Sequence, residues 1–201
     1  MRMLPCGPRA ILAEFDSLDE VMVAAAQLRA AQVGGVVDIV PAARTILVQH
    51  VDADPDRIAA VLAAGGRRVG PTVDPVVPVV VPVRYDGEDL PSVAAAVGCS
   101  VADVIELHSS GTYVAAFCGF MPGFTYLTGL DPRLQLPRRS TPRSRVPSGA
   151  VAIASEYTGV YPSASPGGWH LIGSTDVVVW DESRPEPALI VPGASVRFVA
   201  A

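Results

Sequence analysis

The chain has 201 residues, of which 50% are apolar and 17% charged; this argues against intrinsic disorder and supplies enough apolar side chains for a sizeable core. Its formal net charge of −5 argues against nucleic acid as the main partner, because such partners require a basic surface. All fifteen basic residues are arginine, and without lysine the chain has no Schiff-base, phosphate-loop or biotinylated lysine.

The first eighty residues alternate between strand and helix patterns. Apolar residues recur at helical spacing after Ser17 and again after Asp54, and each of these two residues is suited to cap a helix. In chain order the predicted elements are a strand at 10–15, a helix from 18 to the glycines at 34 and 35, strands at 36–40 and 45–51, a helix from 55 to the glycines at 65 and 66, and a strand at 79–84. This β-α-β-β-α-β order predicts a ferredoxin-like domain over residues 1–84.

Two short helices are predicted after residue 85, the second of them between Ser100 and Gly111. A DNA-binding helix-turn-helix is not favoured here, because this segment has no arginine and carries five acidic residues that would repel phosphate. His108 lies near the end of the second helix, where a cation interacts well with the helix dipole, and we predict a structural role for it. Beyond Thr112, short strands separated by Pro- and Gly-rich turns predict a closed or sandwiched β domain over residues 85–201.

No secretory or membrane segment is predicted. The N-terminus has no apolar run long enough for a signal peptide, and the apolar run at 76–83 is short and interrupted by Pro78 and Pro82. The three cysteines are too irregularly spaced for a disulfide framework or a metal site, so we predict buried reduced thiols at Cys99 and Cys118. We expect a cytoplasmic protein without a metal site.

Arginine is concentrated between Gly119 and Pro147, where Asp131 is the only acidic residue. A guanidinium group is suited to bind carboxylate or phosphate, so the cluster predicts a site for a small anion or for an acidic partner surface. The alternative, arginines paired with acidic residues elsewhere, stays open. The cluster consists of Arg133, Arg138, Arg139, Arg143 and Arg145.

Five of the twelve aromatic residues lie in the Gly- and Pro-rich stretches 119–127 and 158–173, and four of them stand directly beside Gly or Pro. Glycine allows close approach to a ligand and proline fixes a loop, so this pattern predicts an aromatic-walled pocket. The same corners also occur in ordinary β domains. The five residues are Phe120, Phe124, Tyr126, Tyr161 and Trp169.

Several stretches of the chain resemble the signature blocks of one bacterial family. They are GFMPGFTYL (119–127), LPRRSTPRSRVPSGAVAIA (136–154), TGVYPSASPGGWHLIGST (158–175) and VPGASVRFV (191–199), and VPAARTILV (40–48) resembles the first-domain motif of the same family. The family is that of KipI and the B subunit of 5-oxoprolinase, also named allophanate hydrolase subunit 1. The resemblance extends over nearly the whole chain.

The resemblance implies a ferredoxin-like domain followed by a cyclophilin-like β-barrel, and a related pair of domains forms the carboxyltransferase part of urea carboxylase. It also implies partners, the C and A subunits, usually encoded by adjacent genes. Together these subunits hydrolyse 5-oxoproline to glutamate with ATP, which this chain is not expected to hold, and the isolated chain is expected to be inactive. Two other functions stay open: a regulator that inhibits a sensor histidine kinase, and a protein that binds a small acid alone.

The family motifs give candidate site residues for a small carboxylate or amide substrate, with His170 as a weak candidate for a catalytic acid or base. Family members often have other residues where this chain has Tyr157, Ser174 and Ala194, so the substrate and the retention of activity stay open. The candidate substrate-binding residues are Phe120, Phe124, Arg138, Arg139, Arg145, Tyr161, Gly167, Gly168, Trp169 and His170.

Overall fold

A computed structural model describes residues 1–64 and 77–201, and the chain divides into two units, Met1–Val73 and Asp74–Ala201. The elements of the first unit are β1 (Arg2–Pro5), β2 (Ala10–Glu14), α1 (Leu18–Ala31), β3 (Val36–Pro41), β4 (Thr45–His50) and α2 (Pro55–Ala63). The four strands form one antiparallel sheet in the order β1-β2-β4-β3.

Both helices of the first unit begin after the residues that the sequence predicts as caps. Ser17 Oγ accepts a hydrogen bond from the Glu20 backbone N at 3.3 Å, and Asp54 Oδ1 accepts one from the Asp56 backbone N at 2.9 Å. Each cap therefore satisfies an N–H group of the first turn that has no partner inside the helix. The predicted glycine stop of α2 at 65 and 66 lies outside the described residues. The core between helices and sheet includes Val21, Ala25, Leu28, Ile46, Val48 and Ile58.

The assignment of the strand at 79–84 to the first domain is wrong. This strand, β5 (Val79–Val83), pairs in parallel with β13 (Ser195–Ala200) in the sheet of the second unit, and Val81 and Val83 are buried in that unit's core. In the first unit, β1 occupies the sheet edge beside β2 that the predicted last strand would have filled. The second unit therefore begins before residue 79, and not at 85.

The second unit contains a seven-stranded sheet, with β5 and β13 as neighbours at one end. Its other elements are α3 (Leu90–Val97), α4 (Val101–Ser109), β6 (Tyr113–Cys118), β7 (Thr125–Thr128), β8 (Arg143–Val146), β9 (Ala150–Ala154), β10 (Tyr157–Val160), β11 (Ser165–Gly167) and β12 (His170–Ser174). The sheet order is β12-β9-β10-β7-β6-β13-β5, while β8 and β11 form a separate two-stranded ribbon. Arg84 and Ser174 join the two ends of the sheet through backbone hydrogen bonds of 2.8 and 2.7 Å, which makes the barrel nearly closed.

The helices α3 and α4 belong to the core of the second unit, where Leu90, Val93 and Val104 are buried. Within the described residues, no single helix is long and apolar enough to cross a membrane. The two helices meet that test only as a pair, and the pair is bent by 94°.

The three cysteines are unpaired, but the prediction of buried thiols is wrong. Cys99 and Cys118 are half-buried, and Cys6 is exposed. Cys118 is the last residue of β6, and its Sγ lies 3.5 Å from Thr125 Oγ1.

His108 is fully buried within the barrel core. The Thr158 hydroxyl donates to the Ala152 carbonyl at 3.0 Å, so His108 Nε2, 2.9 Å from Thr158 Oγ1, carries the ring proton and donates it to that oxygen. His108 Nδ1 then accepts from the Tyr85 hydroxyl at 2.8 Å. Burial lowers the pKa of His108 to about 3, so the ring is neutral. The predicted structural role fits this network, but the expected helix-dipole interaction of a cation does not.

We expect His108 to make the second unit sensitive to acid. The pKa of His108 falls from 6.5 in the unfolded chain to about 3 in the folded one. The contribution of the neutral ring to the free energy of unfolding is therefore complete above pH 6.5 and is lost as the pH falls toward 3. The loss is up to about 1.4 kcal/mol per pH unit. Urea unfolding followed by the fluorescence of Trp169 and Trp180, both in this unit, measures it. The matched control is His108→Gln, and an equal pH slope in both proteins between pH 6.5 and 4 would contradict the expectation.

Candidate functional site

An aromatic cluster lies on the barrel sheet, on the side away from the main core. A β-bulge between Ala115 and Phe117 shifts the register of β6, so Phe117 faces away from the core that contains Tyr113 and Ala115. Phe117 stacks on its ladder partner Tyr126, with ring centroids 4.5 Å apart and an interplanar angle of 19°. The bulge thus creates a second apolar layer on which the neighbouring loops pack.

Phe124 is the centre of this aromatic cluster. Its ring lies 5.2 Å from Tyr126 and Tyr161, 5.3 Å from Trp169 and 5.5 Å from Phe120, all in edge-to-face geometry. Phe124, Tyr161 and Trp169 are buried. Trp169 is therefore part of the packed interior, and the predicted aromatic-walled pocket is a closed cluster.

Gly167 is required by the packing of this cluster, because a Cβ atom at that position would overlap the Tyr161 hydroxyl. Gly168 has a different function: its carbonyl accepts a hydrogen bond from the Arg139 backbone N at 2.8 Å. The two glycines of the predicted corner therefore connect the aromatic cluster with the loop that carries Arg138 and Arg139.

Phe120 is the exposed member of the cluster, with 59% of its surface accessible. It has a φ angle of 73°, and the Met121 backbone N donates to the Gly119 carbonyl at 2.9 Å across it. A non-glycine residue at the centre of such a three-residue turn is strained, by roughly 1–3 kcal/mol. The turn holds an aromatic side chain at the surface.

Arg138, Arg139 and His170 line one open groove of about 510 Å³. The His170 Nε2–H donates to the Pro137 carbonyl at 2.9 Å, while His170 Nδ1 is enclosed without a hydrogen-bond partner. Arg138 is exposed and has no ion-pair partner among the described residues. The other residues of the groove are Ala96, Leu136, Pro137, Ser140 and Thr141.

Asp89 is a buried carboxylate beside this groove. Its Oδ1 accepts hydrogen bonds from Arg139 Nη1 at 2.6 Å and Arg143 Nη2 at 2.8 Å, and its Oδ2 accepts one from the Leu171 backbone N at 2.7 Å. Burial opposes ionisation of Asp89, but the hydrogen bonds from Arg143 and Leu171 and the charges of both arginines outweigh it, so its pKa is lowered. Asp89 precedes α3, yet its side chain makes no capping bond.

Sequence reasoning did not identify Asp89 as part of a site and counted it only among the acidic residues that repel phosphate. Its place immediately before Leu90 and Pro91 is the local signal, and that signal indicates a helix cap. The contacts with Arg139 and Arg143 span 50 and 54 residues, so no short motif contains them.

The five clustered arginines separate in the fold. Arg138 and Arg139 reach the groove, whereas Arg143 pairs with Asp89 and Glu88 behind it. Arg133 is paired with Asp131 at 2.8 Å, and Arg145 is exposed outside the groove lining. The alternative of arginines paired with acidic residues thus applies to part of the cluster, and Arg145 does not join the other candidates.

The three departures from the family pattern lie outside the groove lining. Tyr157 packs in the aromatic cluster, 5.4 Å from Tyr126 between ring centroids. The Ser174 hydroxyl donates to Asp86 Oδ2 at 3.0 Å where the barrel closes, and Ala194 packs against the main core. Among the described residues no group of His, Cys, Asp or Glu could hold a metal ion.

Comparison with known proteins identifies relatives over much of the chain. The 5-oxoprolinase B subunit of Escherichia coli O157:H7 is 53% identical over 122 residues, and that of Bacillus subtilis (strain 168) is 44% identical over 122 residues. Each match covers 59% of this chain, and 56% and 51% of the respective relatives. The chain spans about half the length of the curated relatives it matches.

Solved structures share the fold. The crystal structure of TTHA0988 matches with a TM-score of 0.80 at 38% identity and covers 96% of this chain and 40% of that chain. The conserved uncharacterized protein PH0987 from Pyrococcus horikoshii matches with a TM-score of 0.60 at 33% identity and covers 100% and 97% of the two chains. Kluyveromyces lactis urea carboxylase, 19% identical with a TM-score of 0.71, covers 99% of this chain and 21% of that chain and supports the fold alone.

These neighbours and the nearly closed sheet confirm the predicted α+β fold, a ferredoxin-like unit followed by a cyclophilin-like barrel. In the first unit, β1 takes the place of the predicted last strand. The resemblance to the 5-oxoprolinase B subunit is confirmed by the curated relatives. The family model described as carboxyltransferase domain, subdomain C and D, matches residues 1–190. The chain therefore belongs to the carboxyltransferase-domain family, subdomain C and D.

Proposed function

We propose that this chain is the B subunit of an ATP-dependent 5-oxoprolinase, which hydrolyses 5-oxoproline to glutamate, and that it is inactive alone. The observation that carries the proposal is the 53% identity over 122 residues to the B subunit of the Escherichia coli O157:H7 enzyme. The histidine-kinase inhibitor is not favoured, because the curated relatives are named as oxoprolinase subunits.

The groove supplies what the substrate's carboxylate requires. 5-Oxoproline is a small acid with one carboxylate and one cyclic amide, and guanidinium groups bind carboxylates through charge-assisted hydrogen bonds. Arg138 and Arg139 both line the groove, and Arg138 has no competing protein carboxylate among the described residues. We therefore assign these two arginines to the carboxylate.

His170 is assigned to the wall of the groove and not to proton transfer. Its Nε2–H is used on the Pro137 carbonyl, and its Nδ1 is enclosed, so neither nitrogen is placed to exchange a proton with a ligand in the groove. The groups that open the cyclic amide then come from elsewhere in the complex. Phe120, exposed beside the aromatic cluster, stays a candidate contact for substrate or partner.

We propose that ATP is bound elsewhere in the complex, because this chain has no lysine for a phosphate-binding loop. The partners are the C and A subunits of the same complex, encoded by adjacent genes. Because the chain spans about half of its curated relatives, these assemblies and the activity rest on the relatives' names.

The test is ATP-dependent release of glutamate from 5-oxoproline by this chain mixed with the C and A subunits, with each component omitted in turn. We expect activity from the complete mixture and none from this chain alone or from the mixture without it. Inactivity of the complete mixture, with every component folded, would refute the enzyme function. Binding of 5-oxoproline by this chain alone would in that case indicate a small-acid binding protein.

A further inference from the structure

The two arginines that share Asp89 divide the available negative charge unequally. Arg143 donates through Nε to Glu88 at 2.8 Å and through Nη2 to Asp89, and its side chain is 14% exposed. Arg139 donates only through Nη1 to Asp89 and is 32% exposed at the groove. Two carboxylates therefore balance the positive charge of Arg143, whereas Arg139 shares a single carboxylate with Arg143, so its positive charge is only partly balanced.

Arg139 also keeps one guanidinium nitrogen, Nη2, for a ligand in the groove. Within the described residues neither its Nε nor its Nη2 has a hydrogen-bond partner in the protein, but its Nε is enclosed, as His170 Nδ1 is. Its Nη2 is not enclosed and can donate a charge-assisted hydrogen bond to a carboxylate oxygen. Since Nη1 is held by Asp89, the rotation of the guanidinium group is restricted while Nη2 stays without a protein partner.

We infer that Asp89 is a positioning residue, which holds Arg139 through Nη1 so that its Nη2 is available to the carboxylate of a small acid in the groove. This inference rests on the proposed function and names the residue that sets its specificity for a carboxylate. The same side chain fixes Leu171, the residue after His170, through the bond from Leu171 N to Oδ2. The buried carboxylate of Asp89 thus holds two parts of the groove: the Arg139 side chain, and the backbone that follows His170.

The negative charge of Asp89 is needed for this arrangement. Arg139 and Arg143 both donate to the same oxygen, so their guanidinium groups lie close together and would repel each other without the carboxylate. Its lowered pKa keeps Asp89 ionised at neutral pH. An amide of the same shape would still accept the Leu171 N–H, but its NH₂ group would face the arginines as a donor.

Asp89→Asn therefore separates positioning from simple structural support. We expect the affinity for 5-oxoproline, measured by calorimetry on the full chain and as KM in the assembled complex, to fall at least tenfold. The matched control is Glu88→Gln, which removes the other carboxylate on Arg143 and leaves Arg139 held; we expect a change below twofold. In an Arg139→Gln background, Asp89→Asn should cause no further loss, because Asp89 acts through Arg139.

Unchanged affinity in folded Asp89→Asn, or losses that add in the double variant, would overturn the inference. If Asp89→Asn does not fold, Arg139→Lys replaces it: this variant keeps the charge but has a single nitrogen for both Asp89 and the ligand, so a tenfold loss supports the inference and wild-type affinity refutes it. If the complete wild-type mixture does not hydrolyse 5-oxoproline and the chain does not bind it, the proposed function fails. Solvent exchange of the Arg139 Nε–H, followed by NMR, then decides alone: faster exchange in Asp89→Asn supports positioning, and equal exchange refutes it.

Discussion

Replacing Arg138 and Arg139 by alanine is expected to reduce kcat/KM for 5-oxoproline of the assembled complex by about 100-fold or more for the pair. Each hydrogen bond between a guanidinium group and a carboxylate contributes about 1.5–3 kcal/mol, or roughly ten- to a hundredfold per arginine. Both side chains line the groove, and Arg138 has no ion-pair partner among the described residues. Steady-state kinetics with saturating ATP and partner subunits measures the effect.

The two single variants should differ in stability. Arg138→Ala removes an exposed side chain and should leave the unfolding midpoint nearly unchanged, whereas Arg139→Ala leaves Asp89 with Arg143 alone and should lower it. The control is Arg197→Ala, an exposed arginine on β13 outside the groove, for which kinetics should change less than twofold. Wild-type kinetics in the double variant would remove both arginines from the site.

The elements that the sequence predicted well are those whose cause is local. Ser17 and Asp54 begin helices because a side-chain oxygen and a free backbone N–H lie within three residues of each other. The strand at 79–83 was recognised as a strand, but its sheet was not, because a short apolar run does not specify its partner strand. Its pairing with β13, more than a hundred residues away, depends on the whole barrel.

In the candidate site, too, the residues with a local signal in the sequence were predicted, and those that depend on contacts between distant segments were not. Arg138, Arg139 and His170 were found because each stands in an unusual local composition, and the fold brings them to one groove. Asp89 was missed because its contacts with the arginines join distant segments. The aromatic residues were recognised as a group, but whether five rings leave a pocket or close on one another depends on their packing, which composition does not contain.

Trp169→Ala is expected to destabilise the second unit by about 3–5 kcal/mol, because it removes a buried indole that packs on Phe124 and Tyr126 at 5.3 and 5.5 Å between ring centroids. The neighbouring Gly168 carbonyl binds the Arg139 backbone, so we also expect lower activity in the molecules that stay folded. Urea unfolding followed by Trp180 fluorescence measures the stability.

Trp169→Phe is the matched control, since it keeps an aromatic ring in the cluster and should lose less than half as much stability as Trp169→Ala. A cavity in the aromatic cluster also weakens the support of the neighbouring loop that carries Arg139. Stability and activity should therefore both decline more in Trp169→Ala than in Trp169→Phe. A Trp169→Ala protein as stable as the wild type but inactive would contradict this expectation. Trp169 would in that case contact the ligand, and the aromatic cluster would be the wall of the site and not the support beneath it.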